Sequence, residues 1–296
     1  MGDFELDTRV EGSNGKYTAA ISPDWRAWGP AGGYVAAIAL RAAGMEANIK
    51  RPASFSGHFI RFADYAPVDI DVTPVHSGRR AESIHVVIRQ APTDSGQEPR
   101  PILQAIVRTA AEGPGLEHDV TQMPDVPPPH GLKTFLDLVP DPGGDSPFWE
   151  NIESRIIQVH RLANFPDSVA DTPDMVEWYR FRPTATFDDP FVDAGRALLF
   201  MDVMASFAAT QPHPNSDYQV PNIDVTCWFH QPAHDAEWLL VEYEAPIAKG
   251  ALMGATGRVW AEDGRLIASG GSQMLCITPG AGVPMSNHPK TTPAEA

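Results

Sequence analysis

Cysteine is nearly absent from this chain: Cys227 and Cys276 are the only two among 296 residues. Both sit in strand-like runs and read as reduced, buried side chains, so no disulfide framework holds the fold together. Also missing is any apolar run of about 18 residues, which argues against a membrane-spanning helix and a membrane partner. The opening Met1-Gly2-Asp3-Phe4-Glu5 has neither the basic nor the apolar region of a secretory signal, and a cytoplasmic location is expected. Positive charge is scarce, 22 Lys and Arg against 38 Asp and Glu, giving a net charge of −16. Such a surface repels nucleic acid phosphates, so no nucleic acid partner is expected. A small anionic ligand would need a local basic patch, for which Arg79, Arg80 and Lys249 are the candidates.

Several catalytic signatures are lacking too. Gly270-Gly271-Ser272-Gln273-Met274 has no closing glycine, so it is not the elbow of a serine hydrolase. No Walker loop and no G-x-G-x-x-G motif occurs. His230 and His234 are spaced as a helical metal pair would be, but Pro232 lies between them at a strand end. Neither a metal nor a cofactor is expected.

With 43% hydrophobic residues the chain can bury a large core. Two segments are apolar almost throughout, Gly32–Ala43 and Ala197–Ala209, and only the second contains an acid, Asp202. A helix apolar on every side belongs inside a fold, where an ionised carboxylate is costly unless it is hydrogen-bonded or put to use. Asp202 is therefore either a functional group or a carboxylate satisfied at a helix N-terminus or by Ser206, one turn on.

Around these segments the elements recur in one order: two strands, a long helix, four strands. In the first half the runs are Phe4–Val10 and Lys16–Ile21, the helix Gly33–Ala43, then Ser54–Phe62, Val68–Val75, Glu82–Gln90 and Ile102–Ala110, joined as a meander. In the second they are Phe148–Arg161 and Met175–Phe181, split by a polar excursion at Asn164–Asp174, then the helix Arg196–Thr210. Asn222–Gln231, Trp238–Glu244, Leu252–Ala261 and Leu266–Ile277 follow. Placing Phe59 on Trp228 also places Val68–Val72 on Glu237–Val241 without a gap. The expected organisation is α+β, a sheet wrapped around a buried helix and then duplicated: residues 1–111, a Pro/Gly-rich linker at 112–147 with a short helix at Leu132–Val139, residues 148–279, and a disordered tail at 280–296.

That order resembles the double-hotdog acyl-CoA thioesterase II family. The likeness is carried by Gly32-Gly33-Tyr34-Val35-Ala36-Ala37 at the first helix, Ile223–Pro232 before Glu237-Trp238-Leu239-Leu240, and Asp263–Ser269. It implies two tandem hotdog domains, an acyl-CoA substrate, and a hydrolytic water held by an Asp, a Thr and a Gln of the second hotdog. Matched to this chain, the Asp is Asp202. The Thr position holds Asn222, and the Gln position falls on Ser272, with Gln273 one residue beyond. Asn222 can donate and accept as Thr can. Neighbouring strand residues face opposite sides, so only one of Ser272 and Gln273 can point at Asp202 unless a bulge at Gly270-Gly271 re-aims them; Gln273 is preferred, with Ser272 in reserve.

The implied chemistry is general-base hydrolysis. Asp202 takes a proton from water, Asn222 and Gln273 orient that water, and backbone N–H groups of Gly32, Gly33 and Tyr34 receive the carbonyl oxygen. The glycine pair has a plainer use in tight helix packing. Met201, Met204 and Phe207 would line the acyl chain or simply fill the core. Two other functions share this scaffold. Hotdog enoyl-CoA hydratases and dehydratases pair the Asp with a nearby His, whereas no histidine follows Asp202 until His213. A non-catalytic acyl-CoA-binding paralogue would explain the two substituted positions. Edge pairing of hotdog sheets would give a homodimer.

Overall fold

The computed structural model describes residues 1–27, 29–91, 98–138, 147–158, 172–213 and 216–278. The expected tail and most of the Asn164–Asp174 excursion lie outside them. Alternating apolar and polar residues produce β1 (Glu11–Ser13), β2 (Lys16–Ala20), β3 (Pro52–Phe59), β4 (Pro67–Ser77), β5 (Ala81–Gln90) and β6 (Arg100–Ala110). The second set is β7 (Ile152–Ile156), β8 (Asp174–Phe181), β9 (Asp224–Phe229), β10 (Leu239–Lys249), β11 (Leu252–Ala261) and β12 (Leu266–Leu275). All belong to one 12-stranded sheet ordered β1-β2-β4-β5-β6-β3-β9-β12-β11-β10-β8-β7. Read from either end the arrangement is the same, and the halves join where β3 pairs antiparallel with β9.

The junction fixes the internal symmetry. A two-fold through the Ser56–Thr226 pair relates Phe55 to Val225 and Gly57 to Cys227, all of them inward-facing. The registration of Phe59 on Trp228 is therefore one residue out, and a slip of one would turn every side chain to the wrong face. Further on, the inward row Val68, Ile70, Val72 of β4 answers to Leu239, Val241 and Tyr243 of β10, two residues beyond the ungapped match. The meander is also rearranged. β2 occupies the edge of β4, from Lys16 opposite Asp71 to Ala20 opposite Pro67, so β3 crosses to the open edge of β6.

Helices α1 (Phe4–Asp7), α2 (Gly32–Glu46), α3 (Phe135–Leu138), α4 (Phe148–Asn151) and α5 (Pro190–Thr210), with a 3-10 turn at Pro23–Trp25, complete the described elements. Phe4 starts a helix rather than a strand because Asp3 caps it, its carboxylate accepting from Leu6 N at 3.0 Å. Phe148–Asn151 likewise forms one helical turn before the strand begins. Here buried Asn151 accepts from Gly2 N at 2.7 Å and donates to Asp24 O at 2.8 Å, tying the N-terminus to the second half. Helix α2 runs on through Gly44 to Glu46, and α5 starts six residues before Arg196. Asp189 accepts from Phe191 N and Val192 N, and Pro190 takes the first turn. The two long helices lie antiparallel, Gly33 against Leu199, Ala37 against Gly195 and Gly44 against Phe191. Both halves contribute to a single apolar core around them.

The early start of α5 places Arg196 at 0% exposure. Its guanidinium donates to Asp193 at 2.5 Å and to the carbonyls of Ala185, Ala233 and Ala236 at 2.5–2.8 Å. Arg196→Ala would strand the Asp193 carboxylate and three carbonyls in the core. Chemical denaturation should show a loss of about 3–5 kcal/mol in unfolding free energy; an unchanged midpoint would show that the network contributes nothing.

Candidate active site

Asp202 lies in the middle of α5, 4% exposed, where the helix meets the N-terminus of α2. One carboxylate oxygen accepts from Gly33 N at 2.5 Å and the other from Asn222 Nδ2 at 2.6 Å. Asn222 Nδ2 also donates to the Asp202 carbonyl at 2.6 Å. Burial pushes the acid up to about 6, against the pull of the bonds from Asn222 and Gly33. The first turn of α2 adds a positive dipole end to the same spot. Ser206 is not a partner, since its hydroxyl turns to Val203 O at 3.3 Å. Within the pair Asp202–Asn222, one polar atom is unsatisfied: Asn222 Oδ1 is buried without a hydrogen-bond partner among the described residues.

Glycine is required where α2 starts. A Cβ on Gly33 would stand 2.7 Å from the Leu199 backbone, and one on Gly32 would stand 2.8 Å from Asp202 Oδ2 and 2.9 Å from Phe59 Cζ. The sequence reading missed Phe59, which ends β3 beside the carboxylate. Of the three proposed oxyanion donors, Gly33 N–H is already given to Asp202, and Tyr34 N–H goes to Ala31 O at 3.1 Å. The Tyr34 ring stacks on Trp25, and its hydroxyl donates to Asp7 O at 2.8 Å. Tyr34 is thus a packing residue pointing elsewhere. Gly32 N–H has no partner among the described residues.

Ser272 and Gln273 exchange the places expected of them. Ser272 faces inward, 5% exposed, with its hydroxyl donating to Met201 O at 3.0 Å, next to Asp202 in the helix. Gln273 lies exposed on the outer face, its N–H on Asp224 Oδ1 at 2.8 Å. The reason is that no bulge interrupts β12 here. The ladder runs unbroken from Gly254 opposite Gln273 to Gly257 opposite Gly270. The glycine pair serves close approach of strands instead, since a Cβ on Gly270 would meet Thr226 O at 2.0 Å.

The two-fold carries Asn222 to Pro52 and Ser272 to Val107, as the matching pairs Asn222–Met274 and Pro52–Thr109 indicate. The first half therefore has none of these polar groups at the equivalent place. Met201 and Met204 are fully buried, whereas Phe207 is 44% exposed and packs edge-on against Trp149 of α4. His230 meets Ser269 at 2.8 Å, and no group of three or more potential metal ligands occurs among the described residues.

Residues 21–110 match the acyl-CoA thioesterase N-terminal domain and residues 118–275 the acyl-CoA thioesterase C-terminal domain. The chain belongs to the acyl-CoA thioesterase family. Solved structures agree on the double-hotdog architecture. Acyl-CoA thioesterase II TesB2 from Mycobacterium marinum is 22% identical, with 94% of this chain and 99% of that one covered at a TM-score of 0.73. The tesB protein of Mycobacterium avium subs paratuberculosis is 21% identical over 93% and 98% of the two chains, TM-score 0.72. A hot dog fold protein of Alicyclobacillus acidocaldarius is 20% identical over 93% and 98%, TM-score 0.76. The protein is a thioester hydrolase of this family, and none of its described helices is long and apolar enough to cross a membrane.

A further, partly buried acid was also missed. Glu177 of β8 shares the inward row of Met175, Tyr179 and Phe181, and Tyr179 Oη donates to it at 2.6 Å. Its signal was an acid in an otherwise apolar alternating row. Burial pushes it from 4.5 up to about 7. Between those values the folded protein holds this proton more tightly than the unfolded chain, so stability falls as pH rises through that window. Glu177→Gln keeps an acceptor for Tyr179 and removes the charge. Calorimetry should find the variant melting above wild type near pH 8 and level with it near pH 5; the same difference at both values would refute a buried charge.

Proposed function

We propose that the protein hydrolyses an acyl-CoA thioester with a water activated by Asp202. The observation that carries this reading is the partnerless Oδ1 of Asn222, buried beside a carboxylate pushed up to about 6. A buried acceptor left open needs a donor, and a water molecule supplies one. A water giving one hydrogen to Asn222 and the other to Asp202 keeps its lone pair free for attack. At neutral pH the carboxylate is mostly ionised, yet more basic than an ordinary Asp, which suits it to take the proton as the C–O bond forms.

Asn222 does here what a Thr would do, with an amide that also anchors Asp202 through Nδ2. Ser272 holds the α5 backbone at Met201, next to Asp202. The thioester carbonyl would lie toward Gly32 N–H at the positive end of α2, so that charge developing on the oxygen is met by a fixed dipole. Gly33 supports catalysis indirectly by fixing the Asp202 carboxylate. Collapse of the tetrahedral intermediate breaks the C–S bond and expels the CoA thiolate, a far better leaving group than an alkoxide; the thiolate takes the proton held by Asp202 and leaves as the thiol. No covalent nucleophile is needed.

Release of CoA thiol from a panel of acyl-CoA esters tests this. Asp202→Asn should lower kcat by about 100-fold or more, with a smaller loss in Asn222→Ala. Because the base must be ionised, kcat should rise with pH through about 6 and then level off. Full activity in Asp202→Asn would overturn its role as base. Acyl-CoA binding without turnover by wild type would leave a binding protein instead.

A further inference from the structure

On the outer face of the first half lies a concavity of about 570 Å³ lined by His76, Arg79, Arg80, Ser83 and Arg108. The two-fold maps it onto a groove of the second half. Past the matching bulges of β4 and β10, the pair His76–Ser83 answers to Ile247–Gly254, and Ser83–Arg108 answers to Gly254–Gln273. The second-half groove is mostly apolar, with Trp228, Ile247 and Leu252 in its lining and Lys249 as its one basic residue. Two copies of one surface have thus diverged, one toward apolar side chains and one toward arginine.

Three arginines converging in a chain of net charge −16 call for a reason. Arg89, Arg180, Arg182, Arg196, Arg258 and Arg265 all bond to carboxylates. Arg79, Arg80 and Arg108 are exposed and bond to none among the described residues. The acid closest in sequence, Glu82, faces the other way and is only 2% exposed, its oxygens taken by Asn48, Ile49 and Thr109. Like charges gathered without a counter-charge repel one another, and an anion between them removes that cost. The guanidinium fork matches phosphate oxygens two at a time. The volume suits a ligand of nucleotide size, and the overall negative charge disfavours a polyanionic chain.

We infer that this concavity binds the phosphate groups of a nucleotide ligand, apart from the Asp202 site. The two places lie at opposite ends of β3. Pro52 pairs with Thr109 beside Glu82 and Phe59 reaches Asp202, so roughly 20–25 Å of strand separates them. Nucleotides with a diphosphate, and coenzyme A with a diphosphate and a 3′-phosphate, both present the required chemistry. The site does not depend on the hydrolytic reading and is tested without turnover.

Calorimetric titration of wild type with pyrophosphate, ADP, coenzyme A and 3′-dephospho-coenzyme A is the experiment. Saturable binding of pyrophosphate and ADP is expected, weakened about tenfold or more in Arg79→Gln/Arg80→Gln/Arg108→Gln and unchanged in Lys249→Gln. Tighter binding of coenzyme A than of its dephospho form would assign the 3′-phosphate as the group held; equal binding would assign the diphosphate. Phosphorus NMR of pyrophosphate with wild type alone gives a readout that needs no variant. Absence of saturable binding to every probe, or equal affinity in wild type and the triple variant, would overturn the inference. So would tighter binding of a single-stranded oligonucleotide than of ADP.

Discussion

The bond from Gly33 N–H to the Asp202 carboxylate crosses from one half of the molecule to the other at the meeting of the two long helices. It constrains much around it. The helices must approach closely enough at Gly33 and Leu199 that no side chain fits between them. Asp202 must sit in the middle of α5, so α5 must begin well upstream and carry Arg196 into the core. A buried carboxylate without these donors would be too costly to keep charged. With them the upward push of burial is held to about 6.

The same contact means that neither half holds the whole of the candidate site. The acid and its amide partner come from the second hotdog, whereas the helix N-terminus that steadies the acid comes from the first. Where the second half has Asn222 and Ser272, the first has Pro52 and Val107. The two halves share one scaffold and differ in what they bring to this spot, one the polar side chains and the other a helix dipole. The outer surfaces diverged in the same way, one apolar and one rich in arginine.

Much of this was legible before any coordinates. All-round apolarity identified both central helices, and a single acid among those residues singled out Asp202. Strands with clean alternation, such as β5 and β11, were found to within a residue. The errors share a cause. Phe4–Asp7 and Phe148–Asn151 read as strands in the sequence because apolarity over so few residues does not separate a helical turn from a strand; the cap at Asp3 and the bonds of Asn151 decide it. The sequence pattern starts α5 late because Asp193 looks like a surface residue until its pairing with Arg196 is seen.

Sequence by itself determined the class of fold, the duplication and the identity of the buried acid, because these follow from composition and period along one chain. Only the tertiary structure decided which of Ser272 and Gln273 faces inward, which N–H group Asp202 occupies, and that Phe59 joins it. Strand register and helix approach are relations between segments far apart in the chain. A shift of one residue in either leaves the local pattern intact and reverses which side chain meets the site.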